Sequence, residues 1–148
     1  EQLLHSLKNK ACIIRFAGIY REGKHRLIDQ LKIGMLSNNI TTDYLTNRIH
    51  ISDCVGILAH LIQQDYEDIR LDRIYLGVDN TPVLYSELIQ WLSSELNLPL
   101  TNNHSTSARV GNKRCLNERI TNTGYQFIYP TYQAGFRAII KQYALTSS

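Results

Sequence analysis

The sequence has no C-x-x-C pair and only three cysteines, Cys12, Cys54 and Cys115, set far apart. That leaves a disulfide framework and a cysteine-based zinc site without support and fits reduced thiols in a cytoplasmic protein. No apolar run is long enough to span a bilayer, and the opening residues hold no apolar stretch of signal-peptide length, so neither a membrane partner nor secretion is expected. Lys and Arg form no run and the formal net charge is only +3, which argues against nucleic acid as a partner. The histidines lack paired ligand spacing, so no metal is expected. The eight glycines never fall as G-x-G-x-x-G or G-x-x-G-x-x-G, so the turn that cradles a dinucleotide pyrophosphate is missing.

What is present is ordinary globular composition: 148 residues, 43% hydrophobic and 20% charged, enough for one domain with a sizeable core. The nine tyrosines fall among aliphatic residues and read as packing rather than base stacking. Residues 1–9 read as the last turns of a helix, and Cys12 to Ala17 as a buried strand that passes at Gly18 into a polar loop. Leu27, Ile28, Leu31 and Met35 mark a helix from Arg26 to Leu36, and residues 37–47 read as mostly loop. Arg48 to Ile51 alternates as a short strand, with Ser52 or Asp53 placed to cap the helix of Val55, Leu58, Leu61 and Ile62. Arg73 to Val78 predicts a second sheet strand. Tyr85, Leu88, Ile89, Leu92 and Leu96 predict a helix stopped by Asn97 and Pro99. Thr101 to Asn112 reads as a surface loop, Leu116 to Thr123 as a short helix closed by Gly124, and Tyr132 to Tyr143 as a last amphipathic helix. The alternation argues an α/β arrangement with parallel pairing, yet two parallel strands need more sheet than they supply themselves.

Four motifs follow one another: R-F-A-G-I-Y (Arg15 to Tyr20), N-R-I-H-I-S-D (Asn47 to Asp53), N-K-R (Asn112 to Arg114) and G-Y-x-F-x-Y-P-T-Y (Gly124 to Tyr132). In this order they resemble the C-terminal half of extended or atypical short-chain dehydrogenase/reductases, the NAD(P)-dependent epimerases and dehydratases related to nucleoside-diphosphate-sugar epimerases. The resemblance implies the C-terminal portion of a Rossmann-type protein, late sheet strands plus a small, mostly helical substrate domain. Residues 1–24 and 53–78 would be late Rossmann elements, and residues 25–52 and 79–148 the substrate-binding subdomain. It also implies that the chain begins after the catalytic lysine of a longer protein and is inactive alone.

By position, Phe16, Ala17, Gly18, Ile19 and Tyr20 match the strand end that passes the nicotinamide of NAD or NADP, and the alternative is a strand and turn that merely pack. Arg21 and Glu22 replace a customary Gly-Pro. Arg48 and His50 are placed to face a sugar-like substrate, and Arg26 to meet an anion; helix capping and plain solvation are the bland alternatives. Thr46 stands where an Arg often holds a substrate phosphate. Arg109, Lys113, Arg114 and Arg119 read best as a solvated basic face. Tyr20 and Lys24 spell Y-x-x-x-K, but Gly23 interrupts the helix such a catalytic pair needs. The expected partners are therefore a small substrate and a missing N-terminal half or a second copy, as in a homodimer. A non-catalytic nucleotide-sensing or protein-interaction module derived from the same fold is the competing reading.

Overall fold

The computed structural model describes residues 11–24, 26–105 and 112–146; the expected helix over residues 1–9 and the basic residue Arg109 lie outside the described residues. In chain order the elements are β1 (Ile13–Phe16), β2 (Gly18–Tyr20), α1 (Arg26–Lys32), β3 (Ser37–Ile40), β4 (Leu45–Thr46) and β5 (Arg48–His50). They continue as α2 (Ile51–Tyr66), β6 (Ile74–Gly77), β7 (Val83–Leu84), α3 (Tyr85–Leu96), β8 (Thr101–Ser105), α4 (Glu118–Asn122) and α5 (Tyr132–Thr146).

The strands form four pairs among the described residues. β1 lies parallel to β6 with Phe16 opposite Gly77, and its continuation β2 lies parallel to β5 with Tyr20 opposite His50. β3 runs parallel to β8, and β4 antiparallel to β7. The parallel connections from β1 to β6 and from β2 to β5 each enclose a helix, which is what joining parallel strands requires.

β3, β4 and β8 correct the expectation of loop over residues 37–47 and at the start of 101–112. Ser-Asn-Asn-Ile and Thr-Asn-Asn-His-Ser carry little strand propensity, so it is their mutual pairing that extends them. Thr101 donates its N–H to Leu36 O at 2.9 Å, and Ser37 Oγ donates to Thr101 O at 3.2 Å and also to Asn103 O. α1 ends at Lys32, short of the expected Leu36, because Gly34 adopts the left-handed conformation (φ 66°) and the Met35 N–H closes the last turn on Gln30 O at 2.8 Å.

Two clusters form the core. One gathers Tyr20, Ile28, Leu31, Leu88, Leu92, Phe136 and Ile139 between α1, α3 and α5. The buried Leu88, Ile89 and Leu92 hold one face of α3, which stops where Asn97 adopts the left-handed conformation (φ 53°). Asp43 caps the start of α3 from a distance, accepting from Ser86 N at 3.2 Å and Ser86 Oγ at 2.5 Å. The other cluster joins Ile49, Cys54, Ile57, Leu61, Tyr75, Ile120 and Tyr125 between α2, β6 and α4. No helix among the described residues is long and apolar enough to cross a membrane.

Candidate functional site

A polar seam runs between the two clusters, and most of its side chains come from β2, β5 and the turn after β6. Alternation along β5 puts Arg48 and His50 on one face. The register sets Gly18 beside Arg48 and Tyr20 beside His50, and a Cβ on Gly18 would press on the Asn47 carbonyl at 3.1 Å. His50 is fully buried. Its Nδ1 accepts the Ser52 N–H at 3.2 Å, so His50, rather than Ser52 or Asp53, is the N-cap of α2. That bond assigns the ring proton to Nε2, which lies 3.2 Å from Glu22 Oε1 without the alignment of a hydrogen bond. Tyr20 meets the imidazole edge-on at 5.3 Å and Tyr129 covers it at 4.2 Å.

Asp53 is also fully buried, and its carboxylate is saturated. Oδ1 accepts from Tyr125 Oη at 3.0 Å and Ile128 N at 2.7 Å, and Oδ2 accepts from Tyr129 N at 3.0 Å. Three donors on one anion are what lets a carboxylate stay inside a protein. Its chemical task here is to hold the segment 125–129 over His50. The contact has a steric condition, since a Cβ at position 56 would collide with the Tyr125 hydroxyl, so only glycine fits there.

Asp79 is less well served. It is 2% exposed, Oδ1 accepts from Thr81 N at 3.0 Å, and Oδ2 is buried with no hydrogen-bond partner among the described residues. Burial pushes its carboxyl up to about 7, against the opposing pull of the Thr81 N–H and the Arg48 charge. Tyr20 Oη is likewise buried without a hydrogen-bond partner among the described residues, and burial together with Asp79 raises its phenol well above the usual range. The Tyr20–Lys24 pattern therefore lacks both parts of an activated tyrosine: Tyr20 is a strand residue stacked on Phe136, and Lys24 is exposed in a tight turn with Arg21.

Asn47 ties the seam to the segment after residue 111. Its backbone carbonyl accepts from Gly18 N at 3.0 Å, its Nδ2 donates to Lys113 O at 2.8 Å, and its Oδ1 accepts from Cys115 N at 2.8 Å. Asn112 Oδ1 accepts from Leu45 N at 2.8 Å, so N-K-R works through its asparagine and backbone while Lys113 and Arg114 point to solvent. Arg119 donates to Ile74 O at 3.0 Å.

Among the residues singled out by sequence, Arg48 and His50 come together with Tyr20 in the seam, whereas Arg26 is exposed at the first position of α1. Phe16 packs against the second core cluster and Tyr20 belongs to the first, leaving Ala17 half-buried and Gly18 and Ile19 exposed between them. Sequence reasoning passed over Asn47, Asp79 and Tyr125. Asp79 looked like an ordinary turn residue, and the only signal for the other two was membership of the motifs.

No protein-family model matches the chain, and no curated protein matches it. Solved structures do. A protein from Methylobacillus flagellatus, provisionally described as an NAD-dependent epimerase/dehydratase, aligns over 97% of this chain at 30% identity with a TM-score of 0.74. This chain has the fold of half an NAD-dependent epimerase/dehydratase. It spans 50% of that protein. A functionally unknown conserved protein from Silicibacter pomeroyi matches at 26% identity and a TM-score of 0.68, over 87% of this chain and 48% of its own. The human epimerase family protein SDR39U1, solved with NADPH, shares the fold at 18% identity and a TM-score of 0.73, over 88% of this chain and 48% of its own. Within the epimerase/dehydratase fold, β1 and β6 are strands of an α/β sheet, and the polar seam lies beyond their carboxyl ends, where open parallel sheets bind ligands.

Proposed function

We propose that this chain is the substrate-domain half of an NAD(P)-dependent epimerase, dehydratase or reductase acting on a small, sugar-like hydroxylated substrate, and that it performs no chemistry without a complementary dinucleotide-binding half. The observation that carries the reading is an alignment over 97% of this chain and only 50% of the Methylobacillus protein, in a sequence with no glycine-rich phosphate turn. The human relative was solved with NADPH, and so was RMD from Pseudomonas aeruginosa, which shares the fold at 17% identity and a TM-score of 0.64. NAD(P), when bound, supplies hydride transfer.

The residues of this chain fit the ring end of such a cofactor and not its pyrophosphate. Ile19 is 52% exposed, an apolar side chain at a parallel strand end, and the Ala17 and Gly18 backbone lies beside it. With Phe16 and Tyr20 committed to packing, their part is to hold that segment rigid. Arg48 and Asp79 give the seam a cation beside a readily protonated carboxyl, a pair suited to orient a hydroxylated substrate. His50, held through Nδ1, keeps its Nε2 proton toward Glu22 and the mouth of the seam. Arg26 meets an anionic substituent at the surface.

The test is NADPH and NADP turnover with sugar-nucleotide and small hydroxylated substrates, by the 148-residue chain alone and after addition of the uncovered half of the Methylobacillus protein. No turnover alone and turnover in the mixture are expected. Turnover by the chain alone overturns the proposal.

A further inference from the structure

The oxidised nicotinamide ring carries a positive charge, and accepting a hydride, one proton with two electrons, cancels it. Fixed charge beside the ring therefore discriminates between the two forms of the cofactor, most strongly where water is excluded. Among the described residues of the seam, acids outnumber bases. Asp53 and Asp79 are buried, Glu22 lies at the mouth with 33% of its side chain exposed, and Arg48 stands against all three. His50 adds no charge while its Nδ1 accepts the Ser52 N–H.

Bonds at the strand ends carry Asp79 to the segment that borders the ring. Ala17 N donates to Gly77 O at 2.9 Å and Gly18 N to Asn47 O at 3.0 Å, while Asp79 N donates to Arg48 O at 2.8 Å. Gly77 lies two residues before Asp79 and Asn47 adjoins Arg48, so the chain that carries Asp79 flanks Ala17 and Gly18. Asp53 is engaged by Tyr125, Ile128 and Tyr129, whereas Asp79 Oδ2 has no hydrogen-bond partner among the described residues. The groups that face Asp79 are Tyr20 from β2, Arg48 from β5, Asp53 from α2 and Tyr132 from α5, with the Thr81 N–H from its own turn. Burial holds the Asp79 carboxyl at about 7, so its charge appears within the ordinary working range of pH.

We infer that Asp79, seconded by Glu22 at the mouth of the seam, makes this half favour the oxidised, cationic form of the nicotinamide cofactor over the reduced form. The inference rests on the reading above that Ile19 and the Ala17 and Gly18 backbone border the ring, and it adds a preference for one redox state. Arg48 opposes the preference with one positive charge, which Glu22 and Asp53 together exceed, so an ionised Asp79 leaves the seam negative. Favouring the oxidised ring makes the reduced ring the stronger hydride donor. The seam then drives reduction of a substrate carbonyl, with the hydride going to the carbonyl carbon and a proton to its oxygen, rather than oxidation of a hydroxyl. The preference grows as pH rises and the Asp79 carboxyl loses its proton, and it fades as pH falls.

The experiment measures the affinities of NADP and NADPH at pH 6 and pH 8 for the full chain mixed with the uncovered half of the Methylobacillus protein. The two nucleotides differ at the ring alone, so packing lost in a variant weakens both and leaves their ratio unmoved. In the wild type the affinity for NADP relative to NADPH is expected to rise about tenfold between the two pH values, and in Asp79→Asn to change by less than about twofold. Glu118→Gln removes an equal charge from the exposed surface of α4 and is expected to keep the wild-type rise. Carbon-13 NMR of the wild type reads the same coupling without a substitution: the Asp79 carboxyl is expected to titrate about one pH unit lower with NADP bound than with NADPH bound. A wild-type ratio indifferent to pH, a rise that survives Asp79→Asn, or a carboxyl that titrates alike with both nucleotides overturns the inference and leaves the functional reading standing. A rise that Glu118→Gln also abolishes assigns the effect to net charge and overturns it too. Binding of neither nucleotide by the mixture removes the functional reading, and the inference with it.

Discussion

The two core clusters use similar residues and end differently. In the first, α1, α3 and α5 face one another, and each covers what the others expose. In the second, α2 buries one side against Ile49, Tyr75 and Ile120 and shows the other to solvent. Of the ten large apolar residues that are exposed among the described residues, five lie between Val55 and Ile69. The difference teaches that, among the described residues, one core is finished and one is half-finished, and the polar seam of Arg48, His50, Asp53 and Asp79 joins them. Such a layout is what the proposed substrate half of a longer enzyme requires.

The sharpest way to break this comparison is to open a cavity in the finished core. Leu92 is fully buried in the first cluster, and Leu92→Ala is expected to cost about 2–5 kcal/mol, read as a fall in the urea midpoint. A loss below 1 kcal/mol would show that this core is loosely packed as well.

The seam is next. Asp79 is held at about 7 in the folded chain against an ordinary value of 3.8. A carboxyl raised by folding contributes stability that is full below the unfolded value and is lost as pH rises through the folded one. Unfolding free energy should therefore fall from pH 4 to pH 8 by on the order of 3 kcal/mol, and Asp79→Asn should remove that part of the slope. A variant with the same pH dependence as the wild type would mean that Asp79 ionises freely. Asp53→Asn, which keeps one acceptor oxygen and sets an NH2 donor against a donor at the other, is expected to cost about 2 kcal/mol and to raise hydrogen exchange at the amides of Ile128 and Tyr129.

The smallest effect belongs to the unfinished face. Ile62→Ser should change the stability of the isolated chain by no more than about 0.5 kcal/mol, because the side chain is 68% exposed and little burial is lost. A cost like that of Leu92→Ala would show that the face is already covered.

Much of this fold is legible in the sequence because its helices and its main parallel strands carry their own signals. The spacing of Leu88, Ile89 and Leu92 and the stop at Asn97 give α3 its observed bounds, and Ile13 and Ile14 mark β1. The polar strands β3 and β8 are invisible to such reasoning, since Asn38, Asn39, Asn102 and Asn103 become strand only by pairing across more than sixty residues. The site is half legible. Arg48 and His50 sit in the seam as their alternation on β5 allows. Asp53, by contrast, reads from sequence as a helix cap and serves instead as the acceptor for Tyr125, Ile128 and Tyr129, seventy-odd residues away. Asp79 carries no sequence signal at all, because only burial beside Tyr20 and Arg48 distinguishes it from any turn aspartate.

The central claim is that this chain holds the substrate side of an NAD(P) enzyme and lacks the side that grips the cofactor. Calorimetric titration of NADPH tests it most directly, first into the chain alone and then into the chain mixed with the uncovered half of the Methylobacillus protein. The account predicts no measurable heat of binding from the chain alone and saturable binding by the mixture, tighter than the added half achieves by itself. Saturable NADPH binding by the chain alone would contradict it.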